Sequence, residues 1–313
     1  VMKSAVRAAS RGASFAAKRR ALVAKREIKT DAAEHEAKTE VVLKNESRSR
    51  RAPVKRAEPI PNDESEPLAA STSKRRRQAS DPPSAWEEQL EGIQKMRAAA
   101  EADVDKYGTE VFMDPSLEPA VARFHVLVGA MLSSQTKDPI TFGAMTRLKE
   151  HGLTVDNVLR TETSTLASLI KPVGFYNRKA VHLRKMCAIL SEQYGSDIPG
   201  TLEDLLQLPG VGPKMSHLVL NVAWKRNAGI CVDTHVHRIC NRLKWTKTWS
   251  KSGSQDPEKT RVALEGWLPR EHWTSINPLL VGFGQTVCLP VGPKCDSCAI
   301  RHLCPASRRK GAL

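Results

Sequence analysis

The chain has 313 residues, and its 49 Lys and Arg against 34 Asp and Glu give a formal net charge of +15 at pH 7. That length suits one or two domains with a sizeable core, and the charge predicts a polyanionic partner, with nucleic acid favoured over an anionic membrane surface. No run of about 18 apolar residues occurs, which excludes a membrane-spanning helix within this sequence.

Residues 1–85 differ in composition from the rest of the chain. They carry 20 Lys and Arg and 11 Asp and Glu, and Phe15 is their only aromatic residue. A segment of this kind buries too little apolar surface to offset the entropy that is lost on ordering. We therefore predict a disordered basic tail.

Basic clusters within this tail resemble targeting signals. Residues 1–26 mix eight basic residues with Ala and Ser and contain no acidic residue, as in a mitochondrial transit peptide. The stretches RSRRAPVKR at 48–56 and KRRR at 74–77 are typical of nuclear localisation or phosphate-binding clusters. The alternative for each cluster is plain solvated charge. We expect the protein in the nucleus and the mitochondrion.

The remainder of the chain has the apolar periodicity of amphipathic helices. In 122–134, apolar residues recur at steps of three and four positions and so share one helix face. Similar stretches are at 140–150, 154–160, 163–170, 178–194, 201–207, 214–225, 234–243, 257–267 and 271–282. Only GICV at 229–232 is strand-like, and it is too short to build a sheet. The sequence predicts an all-α fold.

The stretch LPGVGPK at 208–214 lies between two of these helices. Gly210 and Gly212 allow a tight turn with positive φ and bare backbone amides, and Pro213 suits the first position of a helix. Such a hairpin could hold a DNA phosphate without reading the sequence of bases. A hairpin between two helices is also ordinary architecture, so both interpretations stay open.

Lys214 is then placed in the first turn of the following helix. The helix dipole disfavours a cation at that position. A lysine there is either a phosphate contact or a nucleophile that attacks as the neutral amine. The residues alone favour neither role.

The stretch VDTHVHRICNRL at 232–243 begins a further helix. Asp233 is expected to cap it, and the alternative role is a carboxylate that stabilises a developing cation or activates a nucleophile. His235 and His237 are two positions apart and therefore point to different sides of a helix, which makes them a poor metal-binding pair.

Four of the seven cysteines fall in CLPVGPKCDSCAIRHLC, with the spacing C-x6-C-x2-C-x5-C. Four thiolates from one short segment suit a single tetrahedral ion or an iron–sulfur cluster. Zinc sites more often use two close pairs, so one close pair flanked by single cysteines favours a cluster. The other three cysteines have apolar neighbours and are predicted to lie in the core: Cys187, Cys231 and Cys240.

Together with LSSQTKD at 132–138 and VGFYNRKA at 173–180, these motifs resemble the endonuclease III family of DNA glycosylases, from about Trp86 to Pro305. The resemblance implies a bilobal all-α fold with a DNA groove between its lobes. One lobe is a six-helix barrel domain.

On this resemblance the domain boundaries are as follows. The barrel domain spans 122–228 and contains a helix-hairpin-helix at about 201–225. The iron–sulfur cluster domain combines 86–121 with 229–313.

The resemblance also implies an activity. The enzyme would be a bifunctional DNA glycosylase and abasic-site lyase that removes oxidised pyrimidines and nicks the strand by β-elimination. Lys214 would form a Schiff base with the sugar, and Asp233 would assist it. The ligands of the implied 4Fe–4S cluster are Cys288, Cys295, Cys298 and Cys304.

Further residues are implied as DNA contacts: Gln135, Asp138, Phe175, Tyr176, Asn177, Gly210, Val211, Gly212 and His235. The expected partner is double-stranded DNA that contains oxidised pyrimidines or abasic sites. The protein is expected to act as a monomer and not to bind a membrane. Its tail would bind DNA or repair proteins. Two alternatives are a monofunctional mismatch or adenine glycosylase of the same fold, which would lack the lysine, and a non-catalytic DNA-binding module with a metal site.

Overall fold

The computed structural model describes residues 81–249 and 256–307. The first 80 residues of the predicted tail, with both predicted targeting signals, lie outside the described residues. Within the described part the chain forms helices and turns and no strand, including at 229–232. The predicted all-α class is therefore confirmed. No helix of the described residues is long and apolar enough to cross a membrane.

The α-helices of the described part are α1 (Trp86–Ala98), α2 (Asp103–Tyr107), α3 (Pro119–Ser133), α4 (Asp138–Glu150), α5 (Val155–Arg160), α6 (Thr163–Ile170), α7 (Tyr176–Gln193), α8 (Leu202–Leu205), α9 (Pro213–Ala223), α10 (Thr234–Arg242), α11 (Pro257–Glu265) and α12 (Ile276–Thr286). Short 3-10 helices are at Thr109–Phe112, Arg270–His272, Cys295–Ser297 and Arg301–Leu303.

Helix starts follow local capping chemistry. The Thr154 hydroxyl accepts a hydrogen bond from the Asn157 amide at 3.2 Å and caps α5, and Thr201 caps α8 in the same way. These side chains satisfy backbone donors that the first helical turn leaves unpaired. Pro119 and Pro213 occupy the first position of α3 and α9, where a missing N–H is harmless.

One predicted helix is wrong in its bounds. The periodicity predicted a helix over 271–282, but a 3-10 helix covers Arg270–His272 and α12 begins only at Ile276. Pro278 explains the shift, because proline is tolerated in the first turn of a helix and breaks its interior. A helix that began near 271 would have held Pro278 in its second turn.

The buried apolar side chains form two clusters. The first is drawn from residues 112–223 and includes most of α3, which packs against α9. The second is drawn from 90–93 and 230–300, where α12 packs against α1 and α10. Cys187 lies in the first cluster, and Cys240 in the second; Cys231 is 1% exposed, so the prediction that these three cysteines are core residues is confirmed.

Candidate active site

A groove of about 830 Å³ opens beside the starts of α4, α9 and α10. Residues from both apolar clusters and from the segments between them line it, including Ile230, Val232 and Val281 of the second cluster. Five of the residues predicted to act in catalysis or DNA binding face this groove: Gln135, Asp138, Lys214, Asp233 and His235. These five residues, which span positions 135 to 235 of the sequence, therefore line the same groove.

Lys214 is half-buried in the first turn of α9, as predicted. Gly212 caps the helix, and Pro213 holds its first position, so the lysine side chain leaves the helix at the groove. Within the described residues, its ammonium group makes no ion pair or hydrogen bond. The amine is therefore not engaged with a carboxylate that would hold it away from a ligand.

Asp233 caps α10 and also faces the groove. Its Oδ1 accepts a hydrogen bond from the Val236 amide at 2.8 Å, and the positive end of the helix stabilises the carboxylate. Cys231, two residues before Asp233, makes two contacts. Its carbonyl accepts a hydrogen bond from Asn277 Nδ2 at 2.9 Å, and its Sγ lies 3.6 Å from the Lys214 carbonyl oxygen. These contacts tie the segment that carries Asp233 to the helix that carries Lys214.

Asp138 is held at the groove by a chain of hydrogen bonds. Gln285 Nε2 donates to Asp138 Oδ2 at 2.7 Å, and Gln285 Oε1 accepts from the Val104 amide at 2.9 Å. Burial raises the pKa of Asp138, while the Gln285 hydrogen bond and the charge of Lys214 oppose that rise. Asp138 and Lys214 both line the groove and therefore belong to the same site.

His235 points into the groove, whereas His237 is buried and bonds Thr260 at 2.7 Å, so the two histidines do lie on different sides of α10. Burial lowers the pKa of His235, which keeps the imidazole neutral at pH 7. Arg238 Nη2 donates to His235 Nδ1 at 3.2 Å. Nε2 then carries the ring proton and is the atom that can donate to a phosphate or sugar oxygen.

Gln135 also lines a second cavity of about 200 Å³. Gln135 and Phe175 both have a left-handed backbone, with φ of 51° and 56°, and Phe175 is 57% exposed. Such conformations are costly for these residue types and gather at ligand-binding positions. The other residues of this cavity are Met131, Ser134, Arg178, Lys179, His182 and Gly210.

The two residues that follow Phe175 differ in their surroundings. Tyr176 packs against the first apolar cluster, while Asn177 is exposed. Of the three neighbouring residues 175–177 that are expected to contact DNA, Phe175 is therefore the one with an exposed aromatic side chain, and it lines the second cavity together with Gln135.

The hairpin between α8 and α9 has one left-handed glycine, so one of the two glycines supplies the positive φ of the tight turn. Gly210 has a φ of 80°, and an added Cβ would lie 2.6 Å from His182 Nδ1. Gly212 is extended, with a φ of −120°, because it caps α9 and precedes Pro213. An added Cβ at Gly212 would meet nothing within 4 Å, so its backbone is open to a ligand. Val211 is buried and packs in the first apolar cluster.

The four clustered cysteines line one small cavity beside α10 and α12. Arg242 Nη1 donates to Cys288 Sγ at 3.2 Å and to the Leu289 carbonyl at 2.7 Å. Burial raises the pKa of the Cys288 and Cys298 thiols, and the nearby arginines oppose that rise at Cys288. No group of three or more His, Cys, Asp or Glu within 81–249 and 256–307 is arranged to hold one metal ion. The chemistry of the donor set, four cysteines around one cavity with Arg242 beside them, suits an iron–sulfur cluster.

Several groove residues were not predicted from the sequence. Asn277 and Gln285 hold the segments of Asp233 and Asp138, and they lie on α12, outside every recognised motif. No local pattern distinguishes them from other polar residues on an amphipathic helix. Lys179 lies within the stretch VGFYNRKA, and its apolar neighbours Ala180 and Val181 gave the only hint of burial.

Residues 128–270 match the HhH-GPD superfamily of base excision DNA repair proteins. Endonuclease III-like protein 1 of Bos taurus is 55% identical over 226 residues, which cover 72% of this chain and 73% of that protein. The chain belongs to the endonuclease III family. Endonuclease III-like protein 1 of Gallus gallus is 52% identical, over 72% of this chain and 79% of that protein.

Solved structures agree with this assignment. A trapped endonuclease III–DNA covalent intermediate, an estranged-adenine complex, superposes with a TM-score of 0.60 and 27% identity, over 71% of this chain and 95% of that one. A non-covalent endonuclease III–DNA complex gives a TM-score of 0.59 and 27% identity, over 70% and 93%. As a family member, the protein is a base excision repair enzyme, a DNA glycosylase with abasic-site lyase activity.

Proposed function

We propose that this enzyme removes oxidised pyrimidines from duplex DNA with Lys214 as its nucleophile and then nicks the strand by β-elimination. The observation that carries this proposal is that an unengaged, half-buried Lys214 and the helix-capping Asp233 face one groove. A nearby carboxylate stabilises the cationic charge that develops on a sugar as its base leaves. Reduction of the resulting Schiff base with borohydride tests the proposal, because it makes the link between lysine and sugar permanent.

The steps balance without a further reagent except water. The lone pair of the Lys214 amine bonds to C1′ while the bond from C1′ to the base breaks, and the base leaves with that electron pair and takes up a proton. Loss of a proton from nitrogen and opening of the sugar ring leave a Schiff base. A proton then leaves C2′, the 3′ phosphate departs, and water releases the lysine.

The remaining groove residues suit the binding of a flipped nucleotide. Extrusion of a base costs a few kcal/mol, least for a damaged base. We assign Gln135 and Phe175 to the space that the base vacates, since both have strained backbones and line the second cavity, and Gln135 also lines the groove. Asp138 and His235 would contact the nucleotide near Lys214. The hairpin backbone at Gly210, Val211 and Gly212 would hold a phosphate, which positions DNA without reading its bases.

The four clustered cysteines would hold a 4Fe–4S cluster in the cavity that they share. When bound, such a cluster supplies a rigid cross-link of its loop and a redox-active centre. The chain's own contribution is Arg242, which links Cys288 and the following loop to α10. Since Asp233 caps α10, this contact connects the loop of cysteines to the helix whose N-terminus holds the carboxylate.

We expect the purified protein to contain iron and to absorb near about 400 nm, as iron–sulfur clusters do. Cys298→Ser should lower the bound iron and this absorbance, because it removes one of four ligands. Cys187→Ala is the matched control, since Cys187 is a core cysteine far from the cavity in sequence, and it should keep both. A colourless protein that contains zinc would contradict the proposal.

The basic tail is proposed to strengthen binding to DNA or repair proteins and to direct the protein to the nucleus and the mitochondrion, where it acts as a monomer. Each phosphate that a protein neutralises contributes about 0.9 to the slope of log K against log salt. We expect deletion of 1–85 to leave base excision intact, to flatten that slope and to abolish import into both compartments. An unchanged slope in DNA-binding titrations would mean that the tail does not contact DNA.

A further inference from the structure

Lys179 is a buried cation that the chemistry at Lys214 does not use. It lies on α7 and is 6% exposed. Its Nζ donates to the Ser134 carbonyl at 2.6 Å, to the Leu132 carbonyl at 2.8 Å and to Thr136 Oγ1 at 3.4 Å. Among the residues that the structure describes, no carboxylate pairs with it. Burying an ammonium without a counter-ion is costly, and three oriented acceptors are the compensation that this site offers.

The three acceptors surround the turn that carries Gln135. Leu132 and Ser134 lie at the end of α3, where helix carbonyls are unpaired and the dipole favours a cation. Gln135 stands between two of the acceptors and has a φ of 51°. The ammonium therefore ties the residues on both sides of the strained position to α7.

The same contacts reach the loop of Phe175. Thr136 Oγ1 also accepts from the Gly174 amide at 3.1 Å, and an added Cβ at Gly174 would lie 2.5 Å from the Gln135 carbonyl oxygen. The Gln135 turn and the Phe175 loop are thus packed backbone to backbone. Lys179 is linked to both. It bonds the Gln135 turn directly, and it lies on α7, the helix that Phe175 caps.

We propose that Lys179 is a positioning residue whose ammonium group sets the Gln135 turn and the Phe175 loop for insertion into the duplex, and that loss of its proton releases them. This inference rests on the proposed function, in which Gln135 and Phe175 occupy the space of the extruded base. An ammonium group offers three N–H donors to three acceptors, whereas a neutral amine offers two. Deprotonation therefore removes one of the three N–H donors that Lys179 offers to this turn, together with the charge that strengthens all three contacts.

The protonation state changes within an accessible pH range. Burial lowers the pKa of Lys179 from 10.5 to about 8. The charged or titratable groups that line its cavity are Arg178 and His182 of its own helix. The 132–136 segment and the hairpin contribute only neutral groups there. Burial and neighbouring cations lower the pKa of His182 below 6.5, so above pH 7 only Lys179 titrates among these groups.

As pH rises, the effect of Lys179 on the free energy of unfolding is opposite to its effect on the local contacts of the turn. Between pH 8 and 10.5 the unfolded chain keeps the Lys179 proton that the folded chain has lost. Stability rises with pH wherever the unfolded state binds more protons, so this group favours folding as pH rises through that window. A local loosening of the turn in the same window is therefore not general unfolding.

The first test uses the full chain without DNA. Hydrogen exchange at the Thr136 and Gly174 amides, corrected for the intrinsic pH dependence, should lose about tenfold in protection from about pH 7 to about pH 9.5, as expected for losing a hydrogen bond to a charged donor. Lys179→Met should show the lower protection already at neutral pH and no further change. Lys185→Met, which removes an exposed charge from the same helix, should behave as the unsubstituted chain.

The second test measures binding of a duplex that contains a stable abasic-site analogue. In the unsubstituted chain and in Lys185→Met, affinity for this duplex should fall as pH rises from about 7 to about 9.5, by about tenfold more than in Lys179→Met. Lys179→Met should bind weakly at every pH. Unchanged protection of both amides across the pH series overturns the proposal. If Lys179→Met does not fold, the pH series on the unsubstituted chain decides alone. Failure to trap Lys214 on DNA would overturn the nucleophile assignment and leave the exchange result standing.

Discussion

Lys214→Gln should eliminate the borohydride-trapped adduct with damaged DNA and lower base excision and strand nicking by at least about 10³-fold, in line with the loss of a catalytic nucleophile. Glutamine is close to lysine in length, but its amide nitrogen does not attack C1′ or form a Schiff base. The measurement is a gel that separates the covalent protein–DNA adduct from free DNA, together with single-turnover rates of base release and nicking.

The structure offers a matched control for this substitution. Lys185 is exposed on α7 and does not line the groove, so Lys185→Gln should trap and cleave DNA as the unsubstituted chain does. Affinity for undamaged duplex should be similar in both variants, since each loses one positive charge. An adduct that persists in Lys214→Gln would show that another amine attacks the sugar.

Asp233→Asn is expected to lower the rate of base release by about 10²- to 10³-fold, the cost of removing one preorganised electrostatic group from an active site. Asparagine caps helices about as well as aspartate does. The effect of Asp233→Asn on stability is therefore limited to the loss of the negative charge at the helix N-terminus, which costs about 0.3–1 kcal/mol. Asp233→Ala removes the cap as well and should cost about 1 kcal/mol more. Thermal unfolding and single-turnover rates on the two variants separate the structural role from the catalytic one.

Thr154→Ala provides the matched control for the cap. Thr154 caps α5 through the Asn157 amide and does not line the groove. We expect it to cost about 1 kcal/mol of stability and to leave the rate of base release unchanged. If Asp233→Asn kept full activity while Asp233→Ala lost stability, Asp233 would be a helix cap and no more.

The groove depends on both apolar clusters. Lys214 is carried by α9, whose apolar face lies in the first cluster, and Asp233 by α10, whose apolar face lies in the second. The 3.6 Å contact between Cys231 Sγ and the Lys214 carbonyl joins the two carriers, while Asn277 and Gln285 of α12 hold the Cys231 carbonyl and Asp138. The arrangement of the groove therefore depends on the packing of α12 as well as on the two motifs.

Features that depend on neighbours within one or two helical turns were predictable from the sequence. Pro213 begins α9, Asp233 caps α10, and the two histidines of α10 diverge, because capping and the 3.6-residue period act over a few positions. The error at 271–282 arose where one local rule displaced another, because Pro278 moved the start of α12. Of the two hairpin glycines, Gly212 serves as the helix cap.

The tertiary structure decided which of these local features meet. Gln285 bonds Asp138 across 147 positions of sequence, and Lys179 reaches back 45 positions to the Ser134 carbonyl. Neither contact has a local signature, because each depends on the angle and depth at which two helices pack. The sequence alone singled out the groups that are proposed to do the chemistry and the helices that carry them. Packing of the helices brought Lys214 and Asp233 to one groove and buried the cation beneath the Gln135 turn.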